Sequence, residues 1–156
     1  MLEIAVITIS DRAFRGEYAD ISGPTIVDII NESKLTTNVT LTIVPDDRAQ
    51  IRTAILQNIE KDYIITTGGT GISPRDVTPE VTEEICDKEL PGVAEMLRFE
   101  SYKQTRNAVF SRGYCGIRDK CIIINFPGSI EAVTLCTQLL LPILEHGKKM
   151  LHGEKH

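Results

Sequence analysis

The densest run of chemically useful side chains is Thr66-Thr67-Gly68-Gly69-Thr70-Gly71-Ile72-Ser73-Pro74-Arg75-Asp76-Val77-Thr78-Pro79-Glu80. An apolar run, Tyr63-Ile64-Ile65, precedes it and reads as a buried strand. Thr78-Pro79 closes it, with Thr78 expected as a helix N-cap, proline at the first helical position and Glu80 near the positive helix end. The order is strand, glycine-rich loop, helix. Gly68, Gly69 and Gly71 permit positive φ and carry no Cβ, so successive amide N–H groups can converge on an anion such as a phosphate. No Gly-Lys-Ser/Thr follows, which excludes the phosphate loop of the common nucleotide hydrolases. Pro74 stands where a dinucleotide fingerprint needs its third glycine. With the helix start explained by Thr78, Asp76 has no structural role and is a candidate for chemistry.

The elements that must position this loop end in similar polar corners. Ile4-Ala5-Val6-Ile7-Thr8-Ile9 is β-branched and almost wholly apolar, as expected of a central strand covered on both faces. It stops at Ser10-Asp11-Arg12, either a polar turn or part of the crevice in which open α/β sheets bind ligands. Residues 13–23 form a polar loop with Arg15, Gly16 and Asp20, and Gly23-Pro24 opens a helix whose Ile26, Ile29 and Ile30 share a face. A second strand over residues 39–44 closes at Pro45-Asp46-Asp47, before a helix bearing Ile51, Ile55 and Ile59. One aspartate must cap that helix. Asp47 with Gln50 three residues on fits a capping-box variant and frees Asp46; Asp46 as the cap would leave Asp47 solvated.

Further along, Val81 and Ile85 mark a short helix, Pro91-Gly92 breaks it, and Val93, Met96 and Leu97 form the face of the next. Ala108-Val109-Phe110 reads as a short strand, and residues 111–118, with Ser111 and Arg112, as a loop; a hairpin and a long loop are both compatible with this stretch. Lys120-Cys121-Ile122-Ile123-Ile124-Asn125 is a buried strand ending at Phe126-Pro127-Gly128-Ser129. The N–H groups of that corner could receive an anion, although plain capping by Ser129 is the simpler reading. The last helix carries Ile130, Val133, Leu135, Leu139, Leu140 and Leu141 before Pro142, which should end or kink it. Its apolar surface exceeds what one sheet face covers, which implies deep burial or a subunit contact.

The 156 residues are expected to form a single domain, 1–156, and 42% hydrophobic with 25% charged residues is the balance of a soluble globular chain. A net charge of −5 argues against a general nucleic-acid binder and for a small partner. No basic leader, cleavable apolar segment or run of membrane-spanning length is present, so a cytoplasmic protein without a membrane partner is expected. Cys86, Cys115, Cys121 and Cys136 lack a C-x-x-C pair and read as buried free thiols. His146, His152 and His156 crowd the C-terminal end, far in sequence from the loop, so histidine catalysis is not expected.

Thr-Thr-Gly-Gly-Thr-Gly followed by Arg-Asp-x-Thr-Pro-Asp/Glu resembles the signature of the MogA/MoaB family of molybdenum cofactor biosynthesis. Residues Thr66 to Gly71 and Arg75 to Glu80 match it throughout, and Ser10-Asp11-Arg12, Pro45-Asp46, Ser111-Arg112 and Pro127-Gly128-Ser129 extend the likeness over nearly the whole chain. The resemblance implies a three-layer α/β/α domain with a mostly parallel sheet. It implies Mg²⁺-dependent transfer of an adenylyl group from ATP to the phosphate of molybdopterin, a phosphorylated pterin carrying a dithiolene. Asp46 and Asp76 take the catalytic and metal positions. Ser10, Asp11, Thr67, Gly68, Gly69, Thr70, Gly71, Arg75, Ser111, Arg112, Pro127, Gly128 and Ser129 take the binding positions, with Arg75 or Arg112 offsetting charge. A homotrimer or hexamer is implied, with other proteins of the same biosynthesis as partners. The MogA and MoaB branches are both compatible with so compact a chain. The alternatives are a non-catalytic MoaB-type molybdopterin-binding or assembly protein, and a hydrolase using the same loop with water as nucleophile.

Overall fold

The computed structural model describes residues 1–155, leaving out the side chain of Thr37; His156 lies outside the described residues. The elements in order are β1 (Leu2–Ile9), α1 (Asp11–Phe14), α2 (Ser22–Glu32), β2 (Thr36–Val44), α3 (Arg48–Gln57), β3 (Tyr63–Thr67), α4 (Thr78–Ile85), β4 (Lys88–Glu89) and α5 (Pro91–Gln104). A 3₁₀ helix (Arg106–Phe110), β5 (Cys115–Arg118), β6 (Cys121–Phe126), α6 (Ile130–Leu140), a 3₁₀ turn (Leu141–Ile143) and α7 (Leu144–Leu151) complete the chain. The sheet order is β2-β1-β3-β6-β5-β4. Neighbours from β2 to β6 run parallel, whereas β5 is antiparallel to both β6 and β4.

Alternation along the strands builds two cores, giving the expected three layers. Ile4, Val6, Tyr63, Ile65, Ile122 and Ile124 face one side, with Ile26 and Ile30 of α2, Leu97 of α5 and Val133 and Leu140 of α6. Ala5, Ile7, Ile9, Ile64 and Ile123 face the other, with Ile51 and Ile55 of α3 and Val81 and Ile85 of α4. Strands buried on both faces must be apolar at consecutive positions, which is the pattern of β1, β3 and β6. Cys115, Cys121 and Cys136 are buried, Cys86 is half-buried, and all four are free thiols.

The expected strand at residues 108–110 is instead the 3₁₀ helix Arg106–Phe110, with Val109 and Phe110 exposed. The place beside β6 is taken by β5, and this segment pairs with no strand among the described residues. β5 and β6 form a hairpin around Asp119, which adopts φ 52°. Pro142 ends α6 in a 3₁₀ turn, and α7 runs on, held to the sheet where the Tyr63 hydroxyl donates to the Leu144 carbonyl at 2.6 Å. Among the described residues no helix is long and apolar enough to cross a membrane.

Candidate active site

The chain leaves β1 for β2 on one side and, after β2, crosses to β3 on the other, so the order reverses between β1 and β3. Open α/β sheets leave a crevice at such a point, beyond the carboxyl ends of the strands. The glycine loop occupies it. Gly68 (φ 98°) and Gly69 (φ 68°) take conformations that disfavour side chains. A Cβ on Gly68 would lie 2.2 Å from the Ile9 carbonyl oxygen, and one on Gly69 would lie 2.3 Å from Thr78 Oγ1 and 3.0 Å from Asp46 Oδ1. Both glycines are therefore fixed by space as well as by φ.

Thr78 does not cap α4 as expected. Val77 is the N-cap residue, with no side-chain cap bond, and the Thr78 hydroxyl donates to the Gly68 carbonyl at 3.0 Å, tying helix to loop. Asp76 does have a structural role, contrary to expectation. Its Oδ2 accepts the Ser73 N–H at 3.0 Å, and its N–H donates to the Ser73 carbonyl at 3.0 Å. That turn is docked by Arg112, which donates to the carbonyls of Gly71 (2.8 Å) and Asp76 (2.9 Å) and pairs with Glu80. Glu80 Oε2 is buried with no hydrogen-bond partner among the described residues. Desolvation opposes ionisation of Glu80, but the Arg112 guanidinium and its own backbone N–H hold the carboxyl below its ordinary value.

After β2, Asp47 is the cap, accepting the Gln50 N–H at 3.0 Å, and Asp46 turns into the crevice. Asp46 is not wholly free, because its Oδ2 accepts the Asp11 N–H at 3.0 Å. Burial, with the neighbouring charges of Asp11 and Asp76, pushes its carboxyl above the usual carboxylate range, against the pull of that N–H. Asp11 in turn accepts the Asp46 N–H (3.0 Å) and a bidentate contact from Arg75 (3.0 and 2.9 Å). Burial works against its ionisation, yet the Asp46 N–H and Arg75 hold it low.

Ser10 caps α1 through the Ala13 N–H and shares a 2.8 Å hydrogen bond with the Tyr18 hydroxyl. At the end of β6, Ser129 caps α6 through the Ala132 N–H, and the Thr67 hydroxyl donates to the Pro127 carbonyl at 2.7 Å. Asn125, which no motif singles out, is buried and saturated: its Nδ2 reaches the Thr66 and Thr82 hydroxyls at 2.9 Å each, and its Oδ1 accepts the Tyr114 N–H.

Two clefts open here. The larger, about 680 Å³, is lined by Gly68 to Gly71, Asp76, Ser111, Pro127, Gly128 and Ser129 of the expected set, with Ser101, Gln104, Thr105, Asn107 and Glu131 added. The smaller, about 430 Å³, is lined by Ser10, Asp46, Thr67, Gly68, Gly69, Asp76, Gly128 and Ser129, with Tyr18, Asp20, Ser22 and Glu131 added. They meet at Gly68, Gly69, Asp76, Gly128, Ser129 and Glu131. Asp11, Arg75 and Arg112 line neither, and the charged side chains that do are all carboxylates: Asp20, Asp46, Asp76 and Glu131. The two arginines are engaged by other loops of the site rather than by open space, Arg75 by Asp11 and Arg112 by Gly71, Asp76 and Glu80. Asp20 and Glu131 carried no motif spacing, and Gln104 and Asn107 arrive from across the cleft on a segment without any.

Residues 5–146 match the family model described as "Probable molybdopterin binding domain". The chain is 36% identical over 156 residues to the molybdopterin adenylyltransferase of Helicobacter pylori strain 26695, covering 97% of this chain and 89% of that one. It is 39% identical over 153 residues to the molybdenum cofactor synthesis protein cinnamon of Drosophila melanogaster, covering 96% of this chain but spanning only 26% of that protein. The crystal structure of the molybdopterin biosynthesis enzyme MoaB from Thermus thermophilus superposes with a TM-score of 0.89 at 33% identity, over 99% of this chain and 98% of that one. With residues 5–146 spanned by the family model and the fold shared over 99% of the chain, the chain belongs to the molybdopterin-binding domain family of molybdenum cofactor biosynthesis.

Proposed function

We propose that the protein transfers the adenylyl group of ATP to the phosphate of molybdopterin, releasing pyrophosphate. The observation that carries this reading is the pair of clefts meeting at Gly68, Gly69 and Asp76, an arrangement suited to two substrates reacting at a shared wall. The larger cleft takes the pterin and the smaller, beside Asp46, the nucleotide phosphates. A phosphate oxygen of the pterin attacks the α-phosphorus in line, the bond from that phosphorus to the bridging oxygen breaks, and pyrophosphate leaves with the electron pair. The attacking phosphate is already ionised at neutral pH, so no general base is required.

Mg²⁺ fits the donor set. Asp46 and Asp76 each keep Oδ1 without a hydrogen-bond donor among the described residues, since the contacts they accept fall on Oδ2. No group of three metal-ligating side chains occurs among the described residues, and Mg²⁺ takes one or two carboxylates and fills the rest with phosphate oxygens and water. When bound, the ion offsets the charge of the phosphates. The chain's own residues do the remainder: N–H groups of residues 69–71 hold phosphate, that of Gly68 being taken by the Phe126 carbonyl, Asp76 orients at the junction, and Arg75 and Arg112 keep the carboxylate-bearing loops in place. The charged side chains lining the clefts are all carboxylates, which would repel free ATP, and a cation held by Asp46 and Asp76 would offset that repulsion.

The same reading places the protein in the cytoplasm as a homotrimer. Phe99 and Tyr102 of α5 and Val109 and Phe110 of the adjoining 3₁₀ helix expose large apolar surface suited to a second copy, and light scattering should give three times the chain mass. The functional test is incubation with ATP and Mg²⁺, with and without molybdopterin, assaying both anions. Pyrophosphate only with the pterin is expected. Inorganic phosphate without it would overturn the transferase in favour of a hydrolase, and no release in either tube would leave a molybdopterin-binding protein.

A further inference from the structure

Asp46 and Asp76 stand on different loops, after β2 and after β3, and no hydrogen bond joins them among the described residues. Both loops converge on one side chain that lines neither cleft. Asp11 Oδ1 accepts the Asp46 N–H at 3.0 Å and Arg75 Nη2 at 2.9 Å, while its Oδ2 accepts Arg75 Nε at 3.0 Å. Its own N–H donates to Asp46 Oδ2 at 3.0 Å. That last bond fixes which oxygen of Asp46 remains open: Oδ1, on the side of Gly69. Arg75 immediately precedes Asp76, so the bidentate pair draws in the turn that carries the second carboxylate.

We infer that Asp11 is a positioning residue that sets the separation of Asp46 and Asp76, and so the cation affinity of the site, without touching substrate. This rests on the adenylyl-transfer reading. The Arg75 side chain is 65% exposed and that of Asp11 21%, so the ion pair itself adds little to folding, whereas its two-point contact constrains direction strongly. The Arg112 side chain holds the main chain of the turn at Gly71 and Asp76, and among the described residues the Arg75 side chain bonds to Asp11.

The experiment uses Mn²⁺ as a spectroscopic probe. Binding of Mn²⁺ in the presence of a non-hydrolysable ATP analogue is measured by electron paramagnetic resonance in the full chain, alongside turnover. Asp11→Ala should weaken Mn²⁺ binding about 10-fold or more, as loss of an outer-shell partner does, with the pterin Kd unchanged. Asp11→Asn keeps an acceptor for the Asp46 N–H and should recover part of the loss. Arg75→Gln should reproduce the Asp76 half of the effect, and the Asp11→Ala/Arg75→Gln pair should be less than additive, because both act through one contact. Wild-type Mn²⁺ affinity in Asp11→Ala and Arg75→Gln alike overturns the inference. If the variants bind Mn²⁺ more weakly but the wild-type protein transfers no adenylyl group, the inference stands and the transferase reading falls instead.

Discussion

The wall of the site formed by the ends of β1, β3 and β6 is made of main chain, and the facing wall of residues 101–113 is made of side chains. In the first, the Gly68 N–H donates to the Phe126 carbonyl at 3.1 Å, and Gly68 lies so close to the Ile9 carbonyl that a methyl group has no place. In the second, Arg98 donates to the carbonyls of Ser111 (2.9 Å) and Gly113 (3.3 Å), and Arg112 reaches across to Gly71 and Asp76. A wall set by backbone proximity answers a substitution by failing as a unit. One held by guanidinium forks can shift and still close, which makes it the place where the fit of a ligand can be tuned.

The contrast breaks most sharply at Gly68. Gly68→Ala meets both a φ of 98° and backbone at 2.2 Å, and should lose about 3 kcal/mol or more of stability together with all turnover, as urea denaturation and the anion assay would report. Stability within error of wild type would show that the two strand ends are free to separate. At the junction of the walls, Asp76→Asn keeps an oxygen for the Ser73 N–H, so the turn should persist while turnover falls about 100-fold or more. Full activity would reduce Asp76 to its turn contact; loss of pterin binding, read by fluorescence titration, would mean that the turn needs the charge.

The smallest effect belongs to the side-chain wall. The Glu80 carboxyl lies below its ordinary value of 4.5 in the folded chain, so the folded form takes up a proton later than the unfolded one on acidification. Its contribution to stability is complete above about pH 4.5 and fades as pH falls through the folded value. Glu80→Gln should therefore lose less stability between neutral pH and the acid range than wild type does. Parallel pH curves for the two proteins would place the Arg112 contact with Glu80 outside the energetics of the loop.

Much of the main-chain wall was legible because glycine and apolar runs act locally: the loop, the strands β1, β3 and β6, and the capping of α3 by Asp47 are all present. The side-chain wall was not. Arg75 and Arg112 announce charge without naming a partner, and their partners lie 64 and 41 residues away in sequence, at Asp11 and Gly71. Thr78 has the composition of a cap, but a tertiary acceptor, the Gly68 carbonyl, claims its hydroxyl. β4 is two charged, exposed residues that pair only because β5 lies beside them, so no propensity marks it. Residues 106–110 have strand-like side chains, but β5 holds the place beside β6 and they wind into a 3₁₀ helix instead.

The free thiols acquire a meaning beside a sulfur-bearing substrate. Burial raises all four, Cys86 and Cys121 to about 12 and Cys136 to about 11, so at neutral pH they stay protonated and poor at exchange. None of them lines either cleft. The dithiolene of a molybdopterin bound there would meet no protein thiolate able to form a mixed disulfide.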